Sequence, residues 1–243
     1  MPRFIVFVLI TLLAATNQGY AARLLGVSAD TGNVYEINTS TPGSPIFKFS
    51  LGAGKDIAGL AYSQTRRTYF AYSRAENKIY EFNTAGTILG TITPDRVLSP
   101  SGTSPRGIAF DPTGKLYVVG ANNNVYQLNL ATGQTYFRFK AMGSTSQVES
   151  LATLDNQAFY AVGVRSQVFS VNRFTGQLTN LATLAVGDLD AMTGTIGGTL
   201  FMSESGPDSQ LHAYSPLTRT YQSLGWTGIS HLSSLEELWP NAK

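Results

Sequence analysis

Three observations predict an all-β fold, a five-bladed β-propeller of four-stranded antiparallel blades. A strand motif recurs every 43 to 46 residues, each period holds four short apolar runs, and the incomplete units at the two ends complete each other.

The motif carries an aromatic near its middle and Asn near its end. It reads NVYEIN to Asn38, KIYEFN to Asn83, NVYQLN to Asn129 and QVFSVN to Asn172, with QLHAYS to Ser215 in the fifth place. The residues in the aromatic place, Tyr35, Tyr80, Tyr126, Phe169 and His212, are separated by 45, 46, 43 and 43 residues. Alternation of apolar and polar side chains within each copy is the period of a half-buried strand. About ten residues upstream lies a second run (RLLGVS, TYFAYS, KLYVVG, AFYAVG, TLFMSE), and upstream of that a third (IAGLAY, RGIAF, ESLAT, LDAMT). Downstream, past turns such as Ala131-Thr132-Gly133, comes a fourth: IFKFS, TILGTI, TYFRFK, LTNLAT, TYQSLG. The repeated Asn side chains are expected to close strand-end turns. The repeated aromatics are expected to pack blade against blade.

The first strands fall near Ile57, Gly107, Ser150, Leu189 and His231. The N-terminal unit lacks a first strand, and the C-terminal ISHLSSLEEL is a first strand with nothing after it. Joining them closes a ring, with the C-terminal strand completing the N-terminal blade and leaving no open blade face. A six-bladed ring would require a degenerate unit in residues 92–104, the one long insertion. That insertion either lids the channel or carries no function. Trp239 is expected to anchor the closing segment, and Trp226 to lie near the channel mouth.

The first residues have the order of a secretory signal. Arg3 precedes the apolar run Phe4 to Ala15, which is too short to span a bilayer, and Gly19 and Ala21 are small residues suited to a cleavage site. Residues 1–21 are therefore expected to be a signal peptide and 22–243 a single propeller domain, secreted or periplasmic and not inserted in the membrane after cleavage. The 243 residues are 13% charged, below the roughly 25% of an average domain, with a formal charge of +2 and no Cys. That balance gives no footprint for nucleic acid. The absence of Cys excludes disulfides, thiolate nucleophiles and Cys metal sites. A monomer is expected.

Residues 104–133, SPRGIAFDPTGKLYVVGANNNVYQLNLATG, resemble a repeat of the NHL, SMP-30/gluconolactonase-like and YVTN group of propellers. The matching residues are Pro105, Gly107-Ile108-Ala109, Asp111, Gly114, Leu116-Tyr117-Val118, Val125 and Thr132-Gly133. The other units match more loosely in the same order. The SMP-30 branch implies a divalent metal site with an Asn-Gly-Leu-Ala motif. This chain departs from it, with Ala58-Gly59-Leu60-Ala61 and Arg106-Gly107-Ile108-Ala109 in the corresponding places. The NHL and YVTN side implies a binding module.

Aligning the first strands on their central apolar residue brings Asp56, Arg106, Glu149, Asp188, Asp190 and His231 to the channel mouth. In a chain with few charges, three readings of this cluster stand open. Arg106 pairs with Glu149 and Asp190 as channel filling. Alternatively, Glu149 and Asp190 bind a ligand or a hard cation such as Ca²⁺ or Mg²⁺. In the third reading, Asp56, Glu149 and Asp190 serve as acid, base or metal ligands of a sugar or lactone hydrolase. Of the six, His231 stands outside any Ser-His-Asp order. The expected function is an exported module that binds a protein or glycan through one face, without catalysis and without a cofactor. The polar, divergent loops between second and third strands supply a second candidate surface.

Overall fold

The computed structural model describes residues 22–98, 107–143, 147–154, 158–204, 206–239 and 242. The expected signal peptide, residues 1–21, and Arg106 lie outside these. Within them the chain forms β1 (Arg23–Ser28), β2 (Asn33–Asn38), β3 (Ile46–Ser50), β4 (Ile57–Ser63), β5 (Thr68–Ser73), β6 (Lys78–Phe82) and β7 (Ile88–Ile92). It continues through β8 (Gly107–Phe110), β9 (Leu116–Val119), β10 (Asn124–Leu128), β11 (Thr135–Lys140), β12 (Val148–Leu154), β13 (Ala158–Gly163) and β14 (Gln167–Val171). The last strands are β15 (Leu178–Thr183), β16 (Leu189–Gly194), β17 (Leu200–Glu204), β18 (Gln210–Ser215), β19 (Thr220–Trp226) and β20 (Leu232–Glu237).

These strands make five four-stranded antiparallel sheets: β4–β7, β8–β11, β12–β15, β16–β19, and β20 with β1–β3. The ring has five blades, and residues 93–98 of the long insertion contain no strand. Closure is the one the half-units require. β20 pairs with β1 through Leu24↔Glu237, Leu25↔Glu236 and Gly26↔Leu235. The first strands β4, β8, β12, β16 and β20 each contact the next around the axis, and β20 returns to β4.

The core consists of five wedges, each between adjacent blades. Strand alternation builds them. Tyr69 and Ala71 of β5 enter the wedge against the β20–β1 blade, while Phe70 and Tyr72 enter the wedge against the β8 blade. Both faces of a middle strand are thus buried, which is why these runs read as continuously apolar. The outer strands β3, β7 and β19 expose most of their residues. Trp226, 57% exposed, ends β19 on the outer rim, so its expected place near the channel mouth is corrected. Trp239 does anchor the closing segment: its ring stacks on Tyr62 with centroids 5.1 Å apart.

The Asn turns form as expected. Asn38 Oδ1 accepts from the Ser40 N–H at 3.0 Å, Asn129 Oδ1 from Ala131 at 2.9 Å, and Asn172 Oδ1 from Phe174 at 3.0 Å. Asn83 Oδ1 takes both the Ala85 and Thr87 N–H groups, at 3.1 and 2.9 Å. The aromatics work at two levels. Phe169 fills the wedge between the β8 and β12 blades, while Tyr35 and Tyr126 also meet Phe47 and Phe137 edge-on within their own blades. Part of the long insertion is docked rather than free. Leu98 is buried in the wedge between the β4 and β8 blades, and its carbonyl accepts from Ala121 N–H at 3.0 Å.

Candidate functional site

Each first strand enters the ring at one mouth, and this mouth holds the candidate residues other than Arg106. Asp56 immediately precedes β4, Asp188 precedes β16, and His231 precedes β20; Glu149 and Asp190 are the second residues of β12 and β16. Glu149 and Asp190 are buried, at 4% and 8% exposure, on strands that are neighbours around the axis. Asp188 and His231 are exposed.

The strand entries share a device. The β12–β13 register slips between Val148 and Ser150, so Glu149 occupies a bulge. The β16–β17 register slips between Leu189 and Ala191, which puts Asp190 in the equivalent bulge. A third slip on β4 spans Ala58 and Gly59, and a fourth on β20 involves Ser233, whose Oγ donates to Ile57 O at 2.6 Å. A bulge bends its strand and re-aims a side chain. The two buried carboxylates are therefore bulge residues on adjacent blades.

Asp56, Asp188 and His231 each lie against a neighbouring group. Arg74, just past β5, donates to both oxygens of Asp56, Nε to Oδ2 at 2.9 Å and Nη2 to Oδ1 at 2.6 Å. Beside this pair Lys55 donates to Tyr80 Oη at 2.7 Å and lies 3.6 Å from Glu76, whose carboxylate also takes the Tyr80 hydroxyl. Asp188 Oδ1 accepts from Arg165 N–H at 3.3 Å, and His231 Nε2 lies 3.9 Å from Asp30. Among the described residues no three His, Asp or Glu side chains come close enough together to hold a metal ion.

Backbone strain concentrates on this face. Of the nine non-glycine residues with positive φ among the described residues, Asp56 and His231 precede first strands, and Asn77, Asn122, Asn123, Arg165 and Ser166 lie in loops between second and third strands. Only Arg67 and Arg219 lie on the opposite face. Such residues persist where the surrounding structure over-determines them, and they cluster at ligand clamps and active sites.

Two features escape a reading of the sequence. The first is a buried chain of polar groups in the β16–β19 blade. The fully buried His212 places Nε2 3.1 Å from Glu204 Oε1 and Nδ1 3.0 Å from the Tyr221 hydroxyl. Burial pushes this imidazole below its ordinary pKa, against the pull of Glu204. The second is a cavity of about 320 Å³ at the opposite mouth, lined in part by Glu236 and Trp239. The signal for it is Glu236-Glu237, two consecutive acids on a first strand, because strand alternation turns the two to opposite faces.

No protein-family model matches this chain, and no curated protein does. Solved structures do. A chain in the nidogen/laminin complex aligns with TM-score 0.61 at 15% identity, covering 90% of this chain and 98% of that one. A protein of unknown function from Bacteroides caccae aligns with TM-score 0.57 at 12% identity, covering 89% and 99%. Virginiamycin B lyase from Staphylococcus aureus aligns with TM-score 0.50 at 14% identity, covering 84% and 69%. At these identities the likeness is one of fold.

Proposed function

We propose that this chain is an exported propeller of the NHL/YVTN kind that binds a protein or glycan through the face carrying the strand mouths and the second-to-third-strand loops, without catalysis. The observation that carries this reading is the state of that face. Its ionisable groups Asp56 with Arg74 and Lys55 with Glu76 are tied in pairs, while divergent loops with left-handed residues expose Asn122 and Arg165 around them. Loops of differing sequence on a rigid frame are a common arrangement for recognition. That a chain of the same fold occurs in a nidogen/laminin complex makes protein recognition a use the fold has. Export to the periplasm or the cell exterior rests on the apolar run Phe4 to Ala15.

A second reading is a hydrolase of sugars or lactones using Asp56, Glu149 and Asp190. It draws on the burial of Glu149 and Asp190 at equivalent bulges. Asp56 is its weakest member, being held by Arg74. One experiment separates the readings. The purified protein is screened on immobilised glycans and extracellular proteins, then on sugar esters and lactones as substrates. Binding that is lost when the exposed Asn122 and Arg165 are replaced by glycines, which adopt the same left-handed backbone, supports the binding module. Turnover that disappears in Glu149→Gln or Asp190→Asn overturns it.

A further inference from the structure

The mouth where the first strands end is built unlike the one where they begin. Its cavity, about 320 Å³, is at the small end of the range for small-molecule sites. All five first strands or the residues directly after them line it, with Tyr62, Phe110, Thr153, Thr193 and Glu236 among the contributors. No Lys or Arg is among the described residues lining it, and there are two acids, Asp111 and Glu236. Asp111 is committed to its own hairpin: its carboxylate accepts from Thr113 N–H at 2.9 Å, Lys115 N–H at 3.0 Å and the Tyr117 hydroxyl at 3.4 Å. Glu236 has only neutral N–H groups beside it, from the Glu237 and Tyr62 backbones and the Trp239 side chain. Behind it, Trp239 stacks on Tyr62, and Trp239 N–H donates to Tyr69 Oη at 2.9 Å, so the aromatic wall is fixed.

We propose that this mouth binds a small organic cation of the ammonium type, with Glu236 as counter-charge and Tyr62 and Trp239 as the aromatic wall. Once ionised, a carboxylate lining such a cavity gains most from a positive partner, and the described lining supplies none. Aromatic faces attract ammonium groups, most strongly when water is excluded. Ile108, Leu151 and Met192 add an apolar stretch of wall between the threonines, which suits an alkylated ammonium better than a bare metal ion.

The electrostatics agree. Burial pushes the Glu236 carboxyl up to about 8, against N–H groups of Glu237, Trp239 and Tyr62 that favour its charged form, and neighbouring Glu237 adds repulsion. The other titratable or charged groups around it are Tyr62, with Arg67 beside its phenol, Tyr69, and Asp111 across the cavity. A cation therefore binds best where the carboxyl is ionised.

The test uses choline chloride, whose quaternary nitrogen does not titrate, with glucose as a neutral probe of the same cavity. Calorimetric titration of the full protein is expected to show choline binding near pH 8.5, weaker on the order of tenfold near pH 6.5 as the ionised fraction of Glu236 falls. Glu236→Gln is expected to abolish binding at both pH values while keeping the circular dichroism of the parent. The pH comparison in the unaltered protein stands whether or not that variant folds. Absence of choline binding near pH 8.5, equal affinity at the two pH values, undiminished binding by a folded Glu236→Gln, or binding of glucose in place of choline overturns the proposal.

Discussion

Asp56 meets two demands at once. Its backbone is left-handed, with φ 49°, and its carboxylate receives two hydrogen bonds from a guanidinium whose side chain is 5% exposed. Asn tolerates the left-handed region at least as well as Asp, so Asp56→Asn leaves the turn intact and removes only the charge. Hydrogen bonds to charged groups contribute about 1.5–3 kcal/mol each, and the amide oxygen keeps one acceptor. The expected loss is about 2 kcal/mol in urea unfolding, and Asp56→Ala, which adds backbone strain, loses more. An unchanged midpoint for Asp56→Asn would class the pair with exposed ion pairs that contribute little. The place of Asp56 was legible in the sequence, because the apolar centre at Leu60 sets where β4 begins. Its partner was not. Arg74 comes from beyond the second strand, and only the pairing of Ile57 with Ser73 in the folded blade brings the two together. The same limit hid the Glu204–His212–Tyr221 chain, which joins three successive strands across their pairing.

At the scale of the element, the inner strands converge on the axis, and glycine lets their backbones approach. A Cβ on Gly194 of β16 would stand 2.1 Å from the Thr153 carbonyl oxygen of β12, a backbone atom that cannot turn aside. Gly90 of the outer strand β7 has nothing within 4 Å. Overpacking a close contact costs typically about 1–3 kcal/mol. Gly194→Ala is expected at the upper end of that range and Gly90→Ala near zero, both read from thermal or urea unfolding. Similar losses for the two would mean that the inner strands tolerate separation. The strands themselves were legible because both faces of the inner and middle strands enter wedges, which leaves uninterrupted runs such as IAGLAYS, while the Asn turns mark where third strands stop. The bulges at Glu149 and Asp190 were not, since no residue type announces them. They arise where a strand bends into the narrow mouth, and they decide how the two acids are aimed.

The whole ring depends on one strand that arrives last. β20 pairs with β1 to close the circle, an arrangement legible in the two half-units because an open blade edge would be left without it. That closing strand also carries Glu236, a group that works against closure. Its carboxyl titrates near 4.5 in the unfolded chain and is pushed up to about 8 in the folded ring. Between those values the folded state holds a proton that the unfolded state has released. The stability associated with that proton is complete below pH 4.5 and is lost progressively as pH rises through 8, with no further loss above. Glu236→Gln stays neutral throughout, so the difference in melting temperature between variant and parent is expected to widen from about pH 5 to about pH 8 and then level. The plateau corresponds to stabilisation on the order of a few kcal/mol. Comparing the two proteins removes the contribution of every other acid. A group that lowers the stability of the strand on which the ring depends is better accounted for by what it binds than by what it supports. Choline added to the parent near pH 8.5 should then recover part of the gap by mass action. Parallel curves for parent and variant would show instead that water in the cavity solvates Glu236 fully. The carboxylate would then be ionised at both pH 6.5 and pH 8.5, and the difference in choline affinity on which the proposal rests would be lost.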